Sequence, residues 1–378
     1  MKDAVPASLL SNSDAENLED CLAICLSGGG YRAMLFHLGT LWYLSDAGIL
    51  AEAGRISSVS GGSITSALLG LRWNAIAFGT PGHPTRFRSL VVDPIRKLAS
   101  KTIDVRAVLL GALLPGTISD RVRKAYDETL YQGATLQDLP DAPRFVINAT
   151  NVQTGALFRF SKPYIRDYRV GMIRNPRRLL AEAVTASSAF PPVLSPVRLE
   201  FGDDEWEANS GEAALQKPPY TTEVRLTDGG VYDNMGIETA WKRCKTILVS
   251  DAGAKMQPDP DPHGDAARHS LRVNSLIDNQ VRSLRKRQVV SAYQAKVRDG
   301  AYWGMWTSPD EYTAPSQLVL SNEKARELAE VSTRLAKMDG ALQERLINFG
   351  YGMAERAVRT YWRADALAAP AFPYPRGI

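Results

Sequence analysis

Histidine and cysteine are scarce in this chain. Four His (His37, His83, His263, His269) and three Cys (Cys21, Cys25, Cys244) are spread over 378 residues. So few imidazoles argue against a His-rich metal centre, and they leave a Ser-His-Asp triad only four places to find its base. None of the four is well placed. His83 and His263 stand in Pro/Gly-containing loops, and His269 begins a helix. His37 lies inside a helix between Phe36 and Leu38, where a buried structural role is the simpler expectation. An odd cysteine count in a long chain argues against a disulfide framework and for a reducing compartment. Charge excess is also missing. There are 45 Lys+Arg against 41 Asp+Glu, a net +4, without the basic surplus of a dedicated nucleic-acid binder. DNA and RNA are therefore not expected partners. No apolar run approaches the ~18 residues that cross a bilayer; the longest, at 107–116, reads AVLLGALLPG. The opening MKDAVPASLLSNSDAENLEDC has no apolar stretch of the secretory-signal kind. The expectation is a cytoplasmic protein that meets a membrane only at its surface.

What is present is a repeated unit. Residues 22–26 (LAICL) form a continuous apolar run, as a buried parallel strand gives. Ser27-Gly28-Gly29-Gly30 follows, then a helical pattern carrying Met34, Leu35, Leu38, Leu41 and Leu44 up to Gly48. Ile56 to Ser60 repeats the strand, Gly61-Gly62 the turn, and residues 63–73 the helix. Strand, glycine turn and helix in succession predict an α/β fold with a mainly parallel sheet. Further strands are expected at 144–150, 157–161, 193–199, 224–227 and 246–250, and helices at 91–132, 270–298 and 321–362. The expected organisation is a polar leader at 1–19, a catalytic domain at 20–320 and a C-terminal helical segment at 321–378 packed on it. Residues 91–132 are expected to form a helical excursion or lid.

Three motifs carry chemistry. Ser58-Val59-Ser60-Gly61-Gly62 has the form of a nucleophile elbow. A strained strand-to-helix turn thrusts the Ser60 Oγ outward, and small residues two before (Ser58) and two after (Gly62) let strand and helix close up. The helix start supplies free N–H groups. Gly28, Gly29 and Gly30 can turn a run of backbone N–H groups toward one anion, with Arg32 as a fixed charge beside them. No Gly-Lys-Ser/Thr follows, so this is not a P-loop, and Ala33 stands where a dinucleotide fingerprint needs glycine. A serine nucleophile needs a base. Asp228, at a strand end before Gly229 and Gly230, is preferred; Asp251, after the next strand, is its rival.

GGGYRA, SVSGG and DGG, in that order, resemble the patatin-like phospholipase family. The small-residue segment 183–196 and the C-terminal LINFGY at 346–351 are similar to family segments as well. The resemblance implies a three-layer α/β/α sandwich with C-terminal helices and lipid acyl hydrolysis by a Ser-Asp dyad. It implies Ser60 as nucleophile, Asp228 as base and 28–30 as the oxyanion loop with Arg32 beside it. It implies no metal and no cofactor. Ser58 stands in place of the first elbow glycine and Ala33 in place of a glycine often seen after the loop arginine. Some bacterial members are phospholipase effectors of anti-phage systems switched on by cyclic nucleotides, so a cyclic-nucleotide activator and a homo-oligomer join membrane phospholipid among the expected partners.

Two charged stretches are docking candidates. The apolar run at 108–114 is flanked by Arg96, Lys97, Lys101, Arg106, Arg121, Arg123 and Lys124, the composition of an interfacial element or of an amphipathic helix packed on the sheet. Residues 272–298 carry seven cations (Arg272, Arg282, Arg285, Lys286, Arg287, Lys296, Arg298) against Asp278, a local +6. Such a run is a solvated helix face or a grip for an anionic partner. The competing functional readings are a soluble carboxylesterase and a non-catalytic α/β binding module.

Overall fold

The computed structural model describes residues 18–79, 86–103, 118–192 and 194–378. Most of the expected leader, and the apolar run at 108–114, lie outside the described residues. The described elements are, in order, β1 (Glu19–Leu26), α1 (Gly30–Asp46), β2 (Ala53–Val59), α2 (Gly61–Arg72), α3 (Asp93–Ala99), α4 (Ile118–Tyr126), β3 (Arg144–Asn151), β4 (Leu157–Phe160), β5 (Tyr164–Asp167), β6 (Gly171–Arg174), α5 (Leu180–Ser187), β7 (Val197–Glu200), β8 (Glu223–Asp228), α6 (Gly230–Asp233), α7 (Glu238–Trp241), β9 (Cys244–Asp251), α8 (Ala266–Gln294), β10 (Asp299–Gly304), α9 (Asn322–Glu330) and α10 (Gly340–Tyr361).

The ten strands make one sheet, ordered β10-β9-β1-β2-β3-β4-β5-β6, with β8 pairing β3 and β7. Strands β10, β9, β1, β2 and β3 are parallel, and β3 to β6 continue as an antiparallel meander. Side chains of β1 alternate between two cores. Leu22, Ile24 and Leu26 join the larger one, with α1, α2 and α10. Ala23 and Cys25 join a smaller one with Ile237, Trp241, Val289 and Ala292 on the other face. A strand buried on both faces gives the continuous apolar run read in the sequence, and helices on both faces give the α/β/α sandwich.

Three strands were not anticipated: β5, β6 and β10. The strand expected at 193–199 is confined to β7. Pro191, Pro192 and Pro196 precede it and lack the N–H a ladder requires. The helical expectation at 321–362 divides into α9 and α10, joined by an extended strap at 331–339.

The cysteine arithmetic is corrected outright. Cys21 and Cys244 form a disulfide across the starts of neighbouring β1 and β9, and only Cys25 is free. Parity in the sequence says nothing about two strands that lie side by side, so the case for a reducing compartment loses its basis.

Candidate active site

β2 ends at Val59, opposite Asn148 of β3. The next β3 residue, Ala149, is paired with Asp228, the last residue of antiparallel β8. Thus β2 and β8 run toward each other along one edge of β3, and their carboxyl ends meet. Asp228 reaches the site because β8 is antiparallel. The sequence shows only that Asp228 stands at a strand end, not which way that strand runs.

Ser60 occupies the junction between β2 and α2 with φ 50° and ψ −120°, a backbone region sparsely populated by side-chain-bearing residues. This is the strained turn that the elbow pattern predicted. Its supports are local hydroxyls. Ser60 N–H donates to Ser187 Oγ (3.0 Å), and Ser187 Oγ donates to Asn148 O (2.6 Å). Ser63 Oγ lies between Ser187 Oγ (2.9 Å) and Ser58 Oγ (3.1 Å). Ser58 is therefore part of a buried hydroxyl network that also holds the turn. Gly62 N–H donates to Ser27 O (3.2 Å), tying the elbow helix to the glycine loop.

Asp228 is 3% exposed and Ser60 7%. Gly230 N–H donates to Asp228 Oδ1 (2.7 Å). Burial pushes the carboxyl up to about 7, against the Gly230 N–H and the nearby Ser60 hydroxyl, which both favour the carboxylate. The backbone at Asp228 is fixed from α5 outward: Asp228 N–H donates to Ala189 O (3.0 Å) and Gly229 N–H to Ser187 O (3.3 Å). Ser187, which touches both halves of the site, was not singled out in the sequence. The only hint was its place in the small-residue segment.

Asp251 lies in a different environment. Burial would raise its carboxyl, but Arg282 (3.5 Å), Gly253 N–H (2.9 Å), the Tyr302 hydroxyl (2.8 Å) and Lys286 together hold it below the ordinary range. It is an ion-paired scaffold group, and the structure does not bring it to Ser60. His37 is a buried structural histidine, as expected. Burial lowers it to about 4, Nε2 donates to Ser27 O (2.9 Å), and Nδ1 accepts from Ser250 Oγ (2.9 Å).

The glycine loop differs from expectation in two ways. Gly28 N–H is already committed to Asn234 O (3.0 Å). Among the described residues Gly29, Gly30 and Gly61 N–H have no backbone acceptor, so the open donors are two from the loop and one from the residue after Ser60. Gly61 and Gly30 are in direct backbone contact, since a Cβ on Gly61 would stand 3.1 Å from Gly30 N. Arg32 does not turn its charge to the site. Its guanidinium is buried and donates to Ala252 O (2.9 Å), Val331 O (2.9 Å) and Ala329 O. Three carbonyls consume it, and it holds the start of the strap. The strap then covers the loop: a Cβ on Gly30 would lie 1.7 Å from Thr333 O.

No described helix is long and apolar enough to cross a membrane. No curated protein matches the sequence. Among solved structures, human GIVD cytosolic phospholipase A2 in complex with methyl gamma-linolenyl fluorophosphonate is 15% identical, with a TM-score of 0.51 over 92% of this chain and 58% of that one. VipD from Legionella pneumophila is 14% identical, with a TM-score of 0.38 over 91% of this chain and 68% of that one. The chain thus spans little more than half of the human enzyme, and at this identity the likeness is one of fold. The model of the family described as patatin-like phospholipase matches residues 24–241, from β1 through the elbow, Asp228 and α7. This chain belongs to the patatin-like phospholipase family.

Proposed function

We propose that the protein is a serine lipid acyl hydrolase of phospholipase A type, cleaving ester-linked fatty acids from membrane phospholipids through a Ser60–Asp228 dyad. The observation that carries this reading is the meeting of Ser60, in a strained elbow, with the end of β8, where the buried Asp228 carboxyl feels the Ser60 hydroxyl and has a proton affinity near neutrality. A base is most effective when its pKa is close to the working pH. Asp228 takes the Ser60 proton as Oγ attacks the ester carbonyl. The oxyanion is received by the N–H groups of Gly29, Gly30 and Gly61, each such donor being worth roughly 10²–10³ in rate. Asp228 returns the proton to the departing lysolipid alkoxide. Water, deprotonated in turn by Asp228, then releases the fatty acid from Ser60.

The test is a fluorophosphonate probe and phospholipid vesicles. Ser60 is the expected site of covalent labelling. Ser60→Ala and Asp228→Ala are expected to lose hydrolysis by at least 10³-fold while melting cooperatively. Undiminished turnover in either folded variant would overturn the dyad. Phospholipid vesicles inert beside rapidly cleaved short-chain esters would instead favour a soluble carboxylesterase.

The strap over Gly30 favours a regulated form of the same chemistry, in which this state is closed and an activator opens it. Cyclic di- and trinucleotides, the class expected of an anti-phage effector, are tested by their effect on vesicle hydrolysis. A rate unchanged by all of them removes that regulator.

A further inference from the structure

Three of the seven cations of residues 272–298 are answered by acids from other elements. Arg272 meets Asp259 (3.6 Å), Arg282 meets Asp251 (3.5 Å) and Arg285 meets Glu238 (3.1 Å), while Arg298 is buried and donates to Trp241 O (2.9 Å). Lys286 is one of the cations that no acid answers. Among the described residues it has no ion-pair partner, and its Nζ stands 4.8 Å from the centre of the Tyr302 ring. It lines a cavity of about 210 Å³ between α8 and the ends of β9 and β10, together with Arg282, Lys255, Asn279 and Trp306. Lys255 Nζ lies 5.9 Å from the Trp306 ring, also without an ion-pair partner among the described residues.

Three cations, Lys255, Arg282 and Lys286, thus face this cavity against one acid, Asp251. Asp251 is already engaged by Arg282, Tyr302 and Gly253; it feels the Lys286 charge, but neither ammonium group is in an ion pair with it. Beyond the wall, Arg32 on α1 and Asp278 on α8 are both felt by Arg282 or Asp251 and offset each other in charge. The cavity adjoins the dyad. A Cβ on Gly253 would touch both Arg282 Cζ (2.9 Å) and Asn234 Nδ2 (2.8 Å). The Oδ1 of the same Asn234 would touch a Cβ on Gly28 (2.4 Å) or Gly230 (2.6 Å), and the Gly28 position is 3.2 Å from Ser60 Cβ. Gly253 and Asn234 therefore link Arg282, in the cavity wall, to the glycine loop that packs on Ser60.

We infer that this cavity is a phosphate site, with Lys255 and Lys286 as its open point charges and Arg282 as the cation fixed behind them. Arg32, the charge expected to serve the site, is spent on carbonyls, whereas the two ammonium groups of this cavity are not in ion pairs among the described residues. On the hydrolase reading the phosphate is that of the phospholipid substrate, and the cavity selects glycerophospholipids over neutral acylglycerols. A free phosphate-bearing ligand offers the same chemistry.

The experiment compares wild type with Lys255→Gln/Lys286→Gln on a phospholipid and on the diacylglycerol of the same acyl chains, in the same mixed micelles. Binding of inorganic phosphate and of glycerophosphate is followed in parallel by calorimetry. A headgroup site predicts that the phospholipid-to-diacylglycerol ratio of kcat/KM falls about tenfold or more in the variant, and that glycerophosphate binding is lost. A site for a free ligand predicts an unchanged ratio with loss of phosphate binding. An unchanged ratio with both ligands bound as in wild type, or bound by neither protein, overturns the proposal. Wild type inert on both lipids, with Ser60 unlabelled by the fluorophosphonate, would sink the hydrolase reading, and calorimetry would still decide the site.

Discussion

At the scale of single residues, the two aspartates after strands show how environment divides identical side chains. Asp251 is surrounded by cations and donors and stays ionised. Asp228 has burial working against the Gly230 N–H and the Ser60 hydroxyl, and its carboxyl rises to about 7. The pH dependence follows. The base must be ionised, so kcat/KM on vesicles is expected to rise with pH through a midpoint near 7 and then level off. A flat profile from about pH 5 to 9 would remove Asp228 from the role. Stability runs the other way. A carboxyl raised from about 4 in the unfolded chain to about 7 in the folded one binds its proton more tightly when folded. Its contribution is fully retained below about pH 4 and is lost as pH climbs to 7. Asp228→Asn should therefore match wild type near pH 4 and exceed it near pH 8 by on the order of 3 kcal/mol, read from urea unfolding at the two pH values. The residues legible in the sequence were those whose role is local. The elbow at Ser60 is written in its neighbours Ser58, Gly61 and Gly62, although Ser187, 127 residues away, holds its N–H. Arg32 was misjudged because its three acceptors lie about 220 and 300 residues away along the chain, and no local pattern records them.

At the scale of elements, the strand-turn-helix units were legible because a doubly buried strand and an amphipathic helix have different periods. The meander strands β5 and β6 are four residues each, too short for a periodicity to show. The path of β8 was also hidden: DGG marks a strand end, but only pairing with β3 reveals that β8 arrives head-on to β2. The packing of α10 on α1 is built on backbone contact. A Cβ on Gly350 would stand 1.8 Å from Phe36 O, and one on Gly39 would stand 1.8 Å from Ile347 O. Gly350→Ala raises intrinsic helix propensity by up to about 1 kcal/mol, so an exposed site would gain stability. Here the methyl must separate two helices, and the expected result is a loss of roughly 1–3 kcal/mol in urea unfolding. A stabilised Gly350→Ala protein would show that the crossing is looser than this. Because α1 opens at Gly30, such a shift should also disturb the glycine loop proposed to receive the oxyanion, and lower vesicle hydrolysis.

At the scale of the whole molecule, the sheet is held at its centre by covalent as well as apolar means. Cys21 and Cys244 are 223 residues apart in sequence, yet they join adjacent strands, and the segment between them contains the elbow, β3 and β8. The sequence showed neither this pairing nor the strap, since both depend on how distant segments stack. Closing so long a loop restricts the unfolded chain more than the folded one, and the chain-entropy account sets the stabilisation at up to about 5 kcal/mol. The third cysteine serves as an internal control. Cys25 is fully buried in the smaller core, and burial together with Asp233 raises its thiol further out of reach of alkylation. Alkylation followed by mass spectrometry should find no labelled thiol in the native protein, one after denaturation without reductant, and three after denaturation with it. Reductant should lower the melting temperature of wild type and leave a Cys21→Ser/Cys244→Ser protein, already destabilised, unaffected. Three thiols in the unreduced denatured chain would show that the two strands are joined by hydrogen bonds alone. The stability of the catalytic layer would then rest on the apolar contacts of β1 with its neighbours.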